Sequence, residues 1–98
     1  MANQQERLVT IPGLNGYRIS KSGRIYSDKS KNYLKPSLNK FGYYLVQVCV
    51  NGKSVKKPVH GLMAITFIPN LNKYRCVNHK NGCKTDNSVD NLEWCSFS

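Results

Sequence analysis

The sequence predicts an α+β domain, with antiparallel hairpins, one short helix and a C-terminal pair of strands around a structured loop. Three observations carry this expectation. Tyr44, Val46, Val48 and Val50 alternate with Leu45, Gln47 and Cys49 and run into Asn51-Gly52, a dipeptide that supplies the positive-φ positions of a type I′ hairpin turn. Residues 60–68 then change period and stop before Pro69, as a short apolar helix must, because a proline disfavours helical backbone just before it. Beyond them, short apolar stretches flank a loop rich in Asn, Gly and Asp.

In chain order, residues 8–11 read as a first short strand ended by a Pro12-Gly13 turn. Residues 17–20 and 24–27 flank Lys21-Ser22-Gly23 and read as a hairpin, with Tyr17 and Ile19 facing one way and Arg18 the other. Residues 44–50 and 53–59 form the Asn-Gly hairpin, Pro58 marking an edge position or the strand's exit. Leu62, Met63, Ile65 and Phe67 carry the helix, against which the branched Ile65 and Thr66 argue for strand. Residues 75–79 and 91–94 close the chain as two short strands. A basic, β-rich region over 1–58 and a core carrying the chemistry over 59–98 are the expected divisions.

A chain of 98 residues builds one domain with a modest core. Fifteen Lys and Arg against five acids give a net charge of +10, which calls for a polyanionic partner. The charge is uneven: Asp28 is the single acid between Arg18 and Lys57, whereas Asp86, Asp90 and Glu93 fall late in the chain. Arg18, Lys21 and Arg24 on the first hairpin, and Lys53, Lys56 and Lys57 on the second, are the candidate DNA-binding residues, gripping phosphates of double-stranded DNA. Solvated lysines are the plainer explanation for such a face, but not for so lopsided a run. No stretch reaches the roughly 18 apolar residues of a membrane span, and MANQQERLV lacks the order of a signal peptide. An intracellular setting with reduced thiols is therefore expected.

The chemistry concentrates in residues 77–94. Hydrolysing a phosphodiester needs a base, a cation to offset charge and a group that orients the base. His79 suits the first role because imidazole titrates near neutrality, and Asn91 is placed to hold it across a hairpin. Oxygen donors suit Mg²⁺ or Mn²⁺. A zinc site from Cys76, His79, Cys83 and Cys95 is disfavoured, since the spacing is not a common finger pattern and Cys76 and Cys95 take ordinary strand positions.

VNHKNGCKTDNSVDNLEWC, residues 77–95, resembles the core of phage-intron HNH homing endonucleases, which runs (D/N)-H-x-D-G-N-K-x-(D/N)-N and ends in N-L-x-W. VHGLMAITFIPN is similar to that family's V-H-x-L-V-A-x-x-F helix, and IPGLNGYRISKSGRIYS to the nuclease-associated module that often precedes it. The matches span roughly residues 9–95. The resemblance implies a ββα-metal site in which His79 is the general base, Asn91 steadies it and Asn78 takes a metal-ligand position often held by aspartate. His60 also matches a family histidine, expected to be structural or auxiliary. Cys83 departs from the usual asparagine. The family's second metal ligand lies on a helix after Leu-x-Trp, and residues 95–98 contain neither histidine nor acid, so that helix is expected to be missing. The implied activity is a metal-dependent DNA endonuclease or nickase whose single site nicks one strand, so that cutting both needs a dimer or two separate visits; a homodimer or a protein partner is the expected further association. The alternative is a degenerate scaffold of a phage or mobile element, kept for DNA binding or regulation.

Overall fold

The computed structural model describes residues 7–96. Four short strands, β1 (Val9–Thr10), β2 (Tyr17–Ile19), β3 (Ile25–Ser27) and β4 (Asn32–Tyr33), form an antiparallel sheet in sequence order. A second sheet holds β5 (Ser37–Leu38), β6 (Tyr44–Val50) and β7 (Lys53–Pro58), and a third holds β8 (Cys76–His79) and β9 (Leu92–Cys95). Between them lies one helix, α1 (Val59–Phe67). The α+β class and both expected hairpins are present.

The β6–β7 hairpin follows from its alternation. Val46 and Val48 are buried while Gln47 and Cys49 are exposed, and Val50 pairs Lys53 across Asn51 (φ 52) and Gly52 (φ 80), the left-handed pair a type I′ turn requires. Pro58 pairs Leu45 on β7, an outer strand of its sheet, where its missing N–H costs no ladder bond. Val59, expected to end the strand, instead starts the helix, because Pro58 takes an extended conformation at the helix N-terminus. Within α1, Thr66 satisfies its hydroxyl on the Leu62 carbonyl at 2.7 Å, which reconciles a branched polar residue with helical backbone.

Strands β4 and β5 went unforeseen. Each is two residues long with both residues exposed, so neither leaves an alternation to detect. The core joins both halves of the chain: Ile19 and Ile25 from the first sheet, Val48 from the second, Met63 from α1 and Leu92 from β9 are each at most 2% exposed. Helix α1 packs against β2, β6, β7, β8 and β9. The C-terminal hairpin therefore packs on α1, which in turn packs on strands β2, β6 and β7 of the N-terminal region.

Candidate active site

His79 is the last residue of β8 and pairs Leu92 of β9. Its side chain is 7% exposed. The loop between the strands, residues 80–91, is stapled by side-chain amides. Asn91 accepts from the Asn81 backbone N–H through Oδ1 (3.0 Å) and donates from Nδ2 to the Asp86 carbonyl (2.9 Å). Two backbone groups of a long turn are thereby satisfied without a strand ladder. Gly82 completes the turn at φ 78, its N–H donating to the His79 carbonyl.

The expectation that Asn91 holds His79 is corrected by this geometry: both ends of its amide are engaged by the loop backbone. The imidazole is held instead by Asn87, whose Oδ1 lies 2.8 Å from Nε2. Asn87 is 7% exposed in a loop whose residues 81–85 are all exposed. With the amide oxygen accepting, Nε2 carries the proton and Nδ1 keeps its lone pair. Nδ1 makes no hydrogen bond among the described residues. Sequence reasoning passed over Asn87, which only the loop geometry distinguishes from Asn91.

Two further rings enclose the imidazole. Tyr43, from the turn that opens β6, has its ring centroid 5.9 Å from that of His79 and 5.0 Å from that of His60. His60, on the first turn of α1, lies 5.0 Å from His79 edge-on. Its Nδ1 is buried and without a hydrogen-bond partner among the described residues. Burial, and then the neighbouring His79, push the His60 pKa down, because both disfavour its charged form. On the far side of Tyr43, Lys84 places its ammonium 5.2 Å from the ring centroid and donates to the Phe41 carbonyl at 3.0 Å.

Asn78 precedes His79 on the strand and projects to the other face. It is exposed, and its Nδ2 donates to Glu93 Oε2 at 2.8 Å across the ladder. Among the described residues no three His, Cys, Asp or Glu side chains converge as a metal site. The thiols are dispersed: Cys76 and Cys95 pair across the ladder, whereas Cys83 sits in the exposed loop beside the Thr85 hydroxyl at 3.4 Å. That hydrogen bond pulls the Cys83 thiol pKa down.

The predicted basic residues take different local settings. Arg18 pairs with Asp28 at 3.2 Å, and the Arg24 guanidinium lies 4.1 Å from the centroid of the Tyr33 ring. Lys21 is exposed, and its carbonyl accepts from Val89 N–H, tying the first hairpin to the His79 loop. Lys53 and Lys57 oppose Val50 and Val46, whereas Lys56 opposes Gln47, so the three exposed lysines divide between the two faces of β7.

A buried histidine ending one strand, an amide-stapled loop and a return strand, backed by a helix, make up the module of an HNH-type nuclease. The comparisons agree with that class. The NUMOD4 motif matches residues 6–49. An uncharacterized HNH endonuclease of Acanthamoeba polyphaga mimivirus is 42% identical over 82 residues, covering 84% of this chain and 25% of that protein. The DNA endonuclease I-HmuI of Bacillus phage SP01 is 38% identical over 85 residues, covering 86% of this chain and 49% of that protein. The solved structure described as DNA binding and cleavage by the HNH homing endonuclease I-HmuI superposes with a TM-score of 0.84 at 34% identity, over 92% of this chain and 52% of that one. In sequence and fold the chain is similar to HNH homing endonucleases, and it spans between a quarter and about half the length of these relatives.

Proposed function

We propose that this chain is the cutting module of a metal-dependent DNA endonuclease that nicks a duplex by phosphodiester hydrolysis. The observation that carries the reading is the bond from Asn87 Oδ1 to His79 Nε2. It fixes the tautomer, leaving Nδ1 as the atom that takes a proton from the attacking water. Tyr43 and His60 wall the imidazole, limiting its rotation. Asn91 acts at one remove, shaping the loop that presents Asn87.

Asn78 Oδ1 and the Glu93 carboxylate are oxygen donors of the kind that Mg²⁺ or Mn²⁺ takes, exposed beside the histidine strand. A divalent cation would offset charge on the phosphate and the leaving oxygen, but Asn78 and Glu93 share the strand face opposite the imidazole, so no step of the His79 chemistry is routed through them. Asn78 contributes no negative charge, so its share of the affinity is small.

The test is conversion of supercoiled plasmid, and of phage DNA, to open circles in Mg²⁺ or Mn²⁺, with chelator and His79→Ala controls. Nicking by the native protein that chelator and His79→Ala both suppress is the expected result. DNA binding without cutting on any substrate would overturn the reading in favour of a scaffold kept for binding.

A further inference from the structure

Phe41 is 61% exposed, a large apolar side chain at the tip of the turn between β5 and β6. Single exposed apolar residues are ordinary, so exposure alone says little. What distinguishes Phe41 is how firmly the backbone beneath it is fixed. Asn39 Oδ1 accepts from both the Phe41 N–H (2.9 Å) and the Tyr43 N–H (3.0 Å). The Asn39 and Tyr43 main chains bond each other, and Gly42 crosses the turn at φ 89, its N–H donating to the Asn39 carbonyl. Lys84 reaches from the His79 loop to bond the Phe41 carbonyl at 3.0 Å.

The turn is thus clamped from within by Asn39 and from the C-terminal hairpin by Lys84. Two residues after Phe41 comes Tyr43, whose ring packs on His79. Two cations lie close by: Lys40 places its ammonium 5.2 Å from the Phe41 ring centroid, and Lys84 lies 5.2 Å from the Tyr43 ring centroid. An exposed apolar ring with an ammonium group beside it and a second on the neighbouring turn has a natural complement in a nucleobase whose adjoining phosphates meet the lysines.

We propose that Phe41 is a base-stacking residue, a rigidly presented wedge that enters an opened step of duplex DNA next to the His79 site. Apolar wedges of this kind partly unstack a base step and kink the duplex. The energetic logic is preorganisation: a ring whose backbone is already fixed loses little freedom on stacking. The proposal rests on the DNA reading above, but it concerns binding and distortion rather than cutting.

The experiment is titration of sheared duplex DNA against the native chain, Phe41→Ala and Phe41→Trp, over a range of salt. Stacking is sequence-tolerant and worth about 1–3 kcal/mol per base. Phe41→Ala should therefore weaken binding by roughly 5- to 150-fold while leaving the slope of log K against log salt unchanged. Lys40→Ala or Lys84→Ala should flatten that slope by about one unit. Phe41→Trp should restore affinity, and the added indole should be quenched on DNA addition beyond the Trp94 background seen in the native chain. Unchanged affinity in Phe41→Ala, or an unquenched indole in a Phe41→Trp chain that binds, overturns the wedge and leaves the nuclease reading intact. No binding by the native chain overturns both.

Discussion

The two longest-paired hairpins of this molecule are built on opposite principles. In β6–β7, six backbone pairs close on a two-residue Asn-Gly turn, and alternating valines fasten one face to the core. In β8–β9, only four pairs form, and the connecting loop holds its shape through Asn81, Asn87 and Asn91. The first hairpin is an answer to hydrophobic burial. The second places polar side chains in a half-buried setting, where each must find a partner or destabilise the fold. Specific chemistry is available only in the second, because oriented amides can fix an imidazole tautomer and valines cannot.

Substitutions should separate the two designs. The largest effect on cutting is expected from His79→Ala, about 10²- to 10⁴-fold in single-turnover nicking, the usual worth of a positioned general base. Asn87→Ala should follow, at roughly 10- to 100-fold, because the ring keeps its place but loses the bond that orients it. Its DNA affinity by gel shift should be unchanged. Asn91→Ala should act through stability, leaving the Asn81 N–H and the Asp86 carbonyl without partners, at about 2–3 kcal/mol, read as a fall of the thermal midpoint. In the other hairpin, Gly52→Ala meets no atom within 4 Å but forces a side chain onto φ 80. That should cost about 1 kcal/mol and leave single-turnover nicking untouched.

The smallest effect is a pH dependence. His60 has a depressed pKa in the fold, so its charged form is favoured in the unfolded chain. The unfolded state then binds the extra proton, and stability present above the ordinary histidine pKa is lost as pH falls below it. Asp86, whose pKa is lowered chiefly by hydrogen bonds from Ser88, adds a loss of the same sign further into acid. Thermal midpoints should therefore fall on acidification from neutrality, and His60→Phe should flatten the limb nearest neutrality.

The sequence carried the valine hairpin up to its last residue, Val59, which starts the helix, because period-two burial and an Asn-Gly turn are local signals that tertiary structure had no reason to override. The helix was legible from its change of period, displaced by one residue at each end. His79 was singled out through motif resemblance. Its partner was not: Asn87 and Asn91 are chemically identical and four residues apart, and only the loop geometry decides which reaches the imidazole. Tyr43 lay out of reach for a different reason. It sits 36 positions before His79, and its approach depends on how helix α1 folds the two hairpins together. The strands β4 and β5 left no pattern, being short and solvent-facing throughout.

The most direct test of the central claim is the rate at which DNA already bound is nicked by the native protein and by His79→Ala at matched occupancy. Equal occupancy with cutting confined to the native protein would place the chemistry on the histidine of the C-terminal hairpin. Equal rates in the two proteins would contradict that assignment and remove His79 from the reaction.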